Sequence, residues 1–228
     1  MLEKEDIKKF LPQFPMYSFK EELASSLIHG FGILFSISAL TILVAMSVSY
    51  GNTWSVVSSA IFGATLILMY TASTIYHAVS YQPAKKGLKK FDHIAIYYAI
   101  AGGYTPFLLV LLRTGLGWTV FGLVYGLAIL GTILKLMSKS TNGKKAWSIG
   151  LYLGMGWIMV LCFKKMIAVI PKIGLVFLIL GGVSYTLGVV FYLWKNKKYT
   201  HSIWHGFVLL GSIMHFFAVL YSCVLLNR

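Results

Sequence analysis

Six histidines and one isolated aspartate are the residues through which this 228-residue chain could do chemistry. His201 and His205 stand four residues apart, so on a helix their imidazoles share one face, about 40° apart around the axis. Two rings so placed can chelate one metal ion. Ser25 and His29 have the same spacing, as do Ser73 and His77, and Glu22 lies seven residues before His29 on the same face. One such pair is a weak signal, because helix ends near a membrane surface tolerate histidine. A third histidine at matching depth, with an aspartate that has no competing acid, turns the pair into a candidate metal centre. Three neutral imidazoles around zinc leave a fourth position for water, the open arrangement of a catalytic site. Zinc brings the pKa of such a water toward about 7, and Asp92 is the carboxylate fit to accept its proton. The alternative for Asp92 is a helix N-cap, and the two roles are compatible.

The elements that must position these residues are membrane helices. The chain is 58% hydrophobic and 11% charged, where a soluble domain carries about 25% charged residues. That excludes a soluble globular protein and a disordered one. Cys162 and Cys223 both lie in apolar runs and give neither a disulfide framework nor a CxxC metal site. No strand-period alternation supports an outer-membrane barrel. A bilayer core needs about 20 helical residues per crossing. Apolar runs of that length fall at about 23–48, 54–79, 92–112, 116–137, 147–166, 173–194 and 201–226, the first two separated by the turn-type Ser49-Tyr50-Gly51-Asn52. The expected fold is an all-α integral membrane protein, a seven-transmembrane-helix bundle. Residues 1–22 form an N-terminal segment and 23–228 a single membrane domain.

The net charge of +14 reports topology rather than a nucleic-acid surface, because the lysines cluster in short loops between apolar runs. With seven crossings, the N-terminal side holds fifteen lysines and the other side five basic residues, Arg113, Lys164, Lys165, Lys172 and Arg228. The positive-inside bias places the N-terminus in the cytoplasm and the C-terminus outside, in the plasma or inner membrane. His29, His77, His93, His201, His205 and Asp92 then share the inner leaflet, and His215 lies deeper. His93 reads as interfacial, Glu21 as solvated, and His215 as a hydrogen-bonded histidine between helices. Leu2, Ile7, Phe10 and Leu11 suit a short amphipathic surface helix as well as a loose tail. The pairs Gly122/Gly126 and Gly150/Gly154 suggest close helix packing inside the bundle. Gly102-Gly103-Tyr104-Thr105-Pro106 predicts a kink in the third helix.

Taken together, Glu22-x-x-Ser25-x-x-x-His29, Ser73-x-x-x-His77 with Asp92 following, and His201-x-x-x-His205 resemble the haemolysin III family. That family is the bacterial branch of the progestin and adipoQ receptors. Phe91-Asp92-His93 and Ala101-Gly102-Gly103-Tyr104-Thr105-Pro106-Phe107 look like its third helix. The resemblance runs from about Glu22 to the end of the chain. It implies seven helices with a cytoplasmic N-terminus and a zinc within the inner leaflet. By analogy with the adiponectin receptors, His77, His201 and His205 would be the ligands, and Asp92 would contact the water on the zinc. Ser73 would lie beside the metal or its water. Glu22, Ser25 and His29 would support the site without ligating. Ser25 stands where many receptor members have asparagine. The superfamily also includes alkaline ceramidases, which hydrolyse a lipid amide, and bacterial members have been linked to membrane-lipid homeostasis.

Three functions follow as expectations. The first is a zinc-dependent intramembrane hydrolase of a lipid amide or ester, with a membrane lipid as substrate or ligand and no nucleic-acid partner. The second is a non-catalytic membrane sensor, receptor-like, with structural zinc. The third, a pore-forming cytolysin or transporter, is opposed by the near absence of charge along the middle of any helix.

Overall fold

The computed structural model describes residues 17–138, 146–194 and 197–225. The amphipathic segment expected near the N-terminus lies outside them. Seven helical crossings long and apolar enough to span a membrane are present among the described residues. They give the chain the architecture of a multi-pass membrane protein.

The helix starts are set by local chemistry. In α1 (Phe19–Tyr50), Ser18 and Glu21 form a reciprocal capping box, which satisfies two of the orphan N–H groups of the first turn. This carries the helix four residues further toward the N-terminus than expected and brings Glu22 into it. Asn52 accepts from the backbone N–H groups of Trp54 and Ser55 and starts α2 (Thr53–Ala78). α3 (Gln82–Pro106) opens on Pro83 in its first turn, where a missing N–H costs nothing. It therefore begins ten residues before Asp92. Asp92 is not an N-cap: the polar run of lysines before it, read as a loop, lies within the first three turns of the helix. After Pro106 the chain continues as a π-helical turn, Phe107–Leu111, so the expected irregularity is a register change that absorbs the missing hydrogen bond.

α4 spans Gly115–Met137. The fifth crossing is α5 (Ala146–Trp157), a 3₁₀ stretch at Ile158–Cys162, and α6 (Phe163–Val169). Its break is anchored by Tyr104, whose hydroxyl lies 2.7 Å from the carbonyl of Met155 and 2.8 Å from that of Gly156, and accepts from Met159 N–H at 3.0 Å. α7 (Lys172–Leu193) and α8 (Thr200–Val219), the latter prolonged by a π turn at Leu220–Val224, complete the bundle. α1, α2, α3 and α4 pack in sequence, α8 packs on α1, and α7 packs chiefly on α8. The fifth and sixth crossings are not packed closely on each other.

Leu27, Phe31, Leu34, Ile129, Ile133, Ile179 and Leu187 face outward, whereas Ser36, Ser47, Ser55, Ser59, Ser73 and Ser212 are buried. This is the distribution expected where lipid is the solvent and helices approach through small and hydroxyl side chains. The glycines that make close approaches are not the ones the spacing suggested. A Cβ on Gly122, Gly126, Gly150 or Gly154 would meet nothing within 4 Å, because those faces point out of the bundle. Gly32 instead lies against Tyr70, Gly131 against Tyr97, and Gly211 against Tyr185.

Candidate metal centre

Two helix ends bring three histidines to one point. His77 occupies the last turn of α2, and His201 and His205 the first two turns of α8. His205 Nε2 lies 3.0 Å from His77 Nε2 and 3.1 Å from His201 Nε2. One ligand atom from each ring falls within 4.8 Å of the others. His77 and His205 are buried.

The proton positions suit a cation at this point. His77 Nδ1 is 2.6 Å from Glu22 Oε2. A carboxylate only accepts, so the ring proton sits on Nδ1 and His77 Nε2 presents a bare lone pair. His205 Nε2 then faces two neighbouring ring nitrogens with one proton at most. Nitrogen lone pairs converging in this way suit ligation, since two ligand atoms on a tetrahedral zinc with bonds near 2.0–2.1 Å stand roughly 3.3 Å apart. The residues present fit such an ion.

The surrounding groups fix the rings. Glu22 orients His77 in the carboxylate–histidine arrangement common behind metal ligands. Its second oxygen pairs with Lys85 Nζ at 3.1 Å, and Lys85 also donates to the Val79 carbonyl at 3.2 Å. The Ser25 and Ser202 hydroxyls are 2.9 Å apart, and Ser202 donates to the Glu21 carbonyl at 3.2 Å. These bonds hold the first turn of α8 against α1. Glu21 is thus a connector rather than a merely solvated acid: its Oε1 accepts from Tyr199 N–H at 2.8 Å. Tyr199 has φ of 63°, a left-handed conformation costing on the order of 1–3 kcal/mol for a bulky residue, and the bond to Glu21 helps hold it there.

His29 is buried and meets the His205 ring edge-on, with 3.9 Å between centroids, and Tyr70 at 5.0 Å. It packs behind His205 and is not one of the converging three. Asp92 is buried and lies in the electrostatic neighbourhood of His77 and of the fully buried Ser73. It is likewise outside the converging set. His93 is buried rather than interfacial, because α3 extends past it. His215 bonds Gly211 O of its own helix at 3.0 Å, not a neighbouring helix.

Sequence reasoning missed three groups. Lys85 belongs to a run of lysines in which nothing distinguishes it. Tyr17 stacks on His201, with 4.5 Å between centroids and an interplanar angle of 15°. Burial, and then the neighbouring Tyr192, push the Tyr17 phenol above its ordinary range, which keeps it neutral. Trp204 packs on both His201 and His205. The Tyr17 contact is tertiary and leaves no spacing signal, whereas Trp204 stands three residues after His201 on the same helix, a spacing that could have found it.

A model of the haemolysin-III-related family matches residues 17–216. The chain is 42% identical to a protein named hemolysin-3 homolog from Bacillus subtilis (strain 168), over 92% of this chain and 97% of the relative. It is 39% identical to hemolysin-3 from Bacillus cereus, over 89% of this chain and 91% of the relative. It is 29% identical to the human monocyte to macrophage differentiation factor, over 87% and 83% respectively. No solved structure matches it at a comparable level.

Proposed function

The chain belongs to the haemolysin-III-related family, and from that premise we propose that it is a zinc-dependent hydrolase of a lipid amide or ester, acting inside the membrane in the service of lipid homeostasis. The observation that carries this reading is the convergence of three histidine Nε2 atoms with a carboxylate behind His77. The lysine bias supports a plasma-membrane location with the site at the cytoplasmic end. The loose flank between the fifth and sixth crossings supports entry from the lipid.

His77, His201 and His205 would hold the ion through Nε2. When bound, zinc would supply Lewis acidity toward a carbonyl oxygen and toward water. Glu22 keeps the His77 proton on Nδ1, so the ligating lone pair stays aimed inward. Asp92, on the neighbouring α3, would take a proton from the attacking water at a carboxylate oxygen and return it to the departing amine or alcohol. The outward-facing apolar side chains hold the acyl part of a lipid beside the bundle without desolvating it.

A second reading, a receptor-like sensor in which zinc is structural, is favoured by Tyr17, which covers one face of His201. One set of measurements separates the two. Elemental mass spectrometry of the detergent-purified protein should find about one zinc per chain, lost in His201→Ala/His205→Ala. Lipid-amide and lipid-ester hydrolysis should then be present in the wild type and absent in His77→Ala. Hydrolysis that survives in His77→Ala sinks the hydrolase. Zinc without any turnover, together with a loss of thermal stability on chelation, supports the sensor.

A further inference from the structure

α8 presents a second face, distinct from the one that carries its first two histidines. Tyr199, Ser202, Ile203, Gly206 and Leu210 recur at three- and four-residue steps and, with Ile28 of α1, line an open groove of about 450 Å³. That size is typical of sites that hold small molecules, about 300–1,000 Å³. Fixed elements shape it. A Cβ on Gly206 would meet nothing within 4 Å, so the missing side chain is what leaves the floor open. Phe207 also lines the groove and is held by stacking on Phe191 of α7, with 5.2 Å between centroids and 17° between planes. Ser202 is tied to α1 through the Ser25 hydroxyl at 2.9 Å and the Glu21 carbonyl at 3.2 Å.

The surroundings say what fills it. Ile203 and Leu210 are exposed, so the groove opens outward from a membrane-spanning helix, and there the solvent is lipid. From Tyr199 to Leu210 is about 16 Å of helix, close to half of a hydrocarbon core of roughly 30 Å. The groove therefore has the length of one leaflet. An unfilled slot leaves its lining without dispersion contacts on one side, and a flexible acyl chain supplies them.

Its polar end lies at the start of α8. Tyr199 stands there with φ of 63°, and strained residues of this kind cluster at ligand sites. Lys197 and Lys198, both exposed, directly precede it. The Lys197 ammonium lies 5.0 Å from the centroid of the Trp194 ring, a contact that occupies one side of a group with three donors. Lysines at this level of a membrane attract anionic headgroups.

We propose that the groove between α1 and α8 binds one acyl chain of an anionic phospholipid from the leaflet that holds the histidines, with its headgroup beside Lys197 and Lys198. No histidine lines the groove, so this lipid is held there and not hydrolysed. The site stands whether or not the hydrolase reading does.

The test uses the full chain in a neutral detergent and counts bound lipid by native mass spectrometry, titrating phosphatidylglycerol and phosphatidylcholine of the same acyl chains. The wild type should hold one phosphatidylglycerol per chain at concentrations where phosphatidylcholine is not retained. Gly206→Leu should lose it. Leucine favours a helix more than glycine does, and its side chain leans over the preceding turn, into the groove. Gly122→Leu, which adds the same side chain to open space on α4, should keep it. Lys197→Gln/Lys198→Gln should bind phosphatidylglycerol no better than phosphatidylcholine. Phosphatidylglycerol held equally by Gly206→Leu and the wild type overturns the groove as the site. Equal retention of the two lipids by the wild type overturns the anionic headgroup, and does so even where a variant fails to fold. A wild type that appears as a lipid-free dimer overturns the lipid in favour of a second copy of the chain.

Discussion

α8 carries histidines in two regions, and their surroundings differ. At its start, His201 and His205 meet His77 from α2, and ring nitrogens point at ring nitrogens. Further along, His215 gives its Nδ1 proton to Gly211 O within its own helix and lies beside Tyr185. His77, His201 and His205 are the one group of three His, Cys, Asp or Glu residues positioned for a metal ion among the described residues. A histidine inside a membrane bundle becomes a candidate ligand through what the opposing helix brings to it. Depth alone does not decide it.

The largest expected effect tests that contrast directly. His201→Ala/His205→Ala should abolish zinc retention, while His215→Ala should keep about one zinc per chain, both measured by elemental mass spectrometry on folded protein. Zinc lost equally from both would erase the distinction between the regions.

Next in size is Asp92→Asn. Removing a positioned general base typically costs about 10²–10⁴ in rate. Lipid hydrolysis should fall by that factor while zinc content stays the same, because Asp92 is not one of the converging groups. Loss of zinc along with activity would instead place Asp92 among the ligands.

Much of this contrast was legible in the sequence, for reasons that can be named. Seven apolar runs of membrane length read directly as crossings, since length and composition decide them. The i, i+4 spacing of His201 and His205 fixed a shared face whatever the rest of the fold. Pairing them with His77 and setting Glu22 behind it came through the family resemblance, because which helices adjoin is a tertiary fact. The start of α3 was misplaced because Lys85, Lys86, Lys89 and Lys90 read as loop, whereas Pro83 opens a helix there and the lysines ride on its first turns. The glycine pairs were misread because spacing gives a face but not its direction: Gly122 and Gly126 share a face that looks outward.

A smaller effect lies behind the converging histidines. In Glu22→Gln an amide would face His77 Nδ1, so the ring could keep its tautomer but would lose the carboxylate that raises its basicity. Such partners typically affect metal affinity by about 10–100-fold. Zinc competition with a chelator of known affinity should show a weakening within that range. Lys85 would also lose its ionic partner. An unchanged affinity would mean that the 2.6 Å contact serves packing alone.

The smallest effect tests the His215 side of the contrast. A Cβ on Gly181 would fall 2.2 Å from His215 Nδ1 and 3.2 Å from Gly211 O. Gly181→Ala must therefore displace the imidazole from the carbonyl it bonds and press α7 away from α8. Overpacking of this kind costs about 1–3 kcal/mol, which should lower the thermal midpoint in detergent. Gly122→Ala, with open space around it, should not. Zinc content should stay unchanged in both, since His215 lies about 15 Å along the helix from His205. If His215 is a packing group, Gly181→Ala/His215→Ala should regain part of the lost stability, because the smaller side chain vacates the space the new methyl needs. A double variant less stable than the sum of the two single losses would show that the His215–Gly211 bond matters more than the fit of α7 on α8.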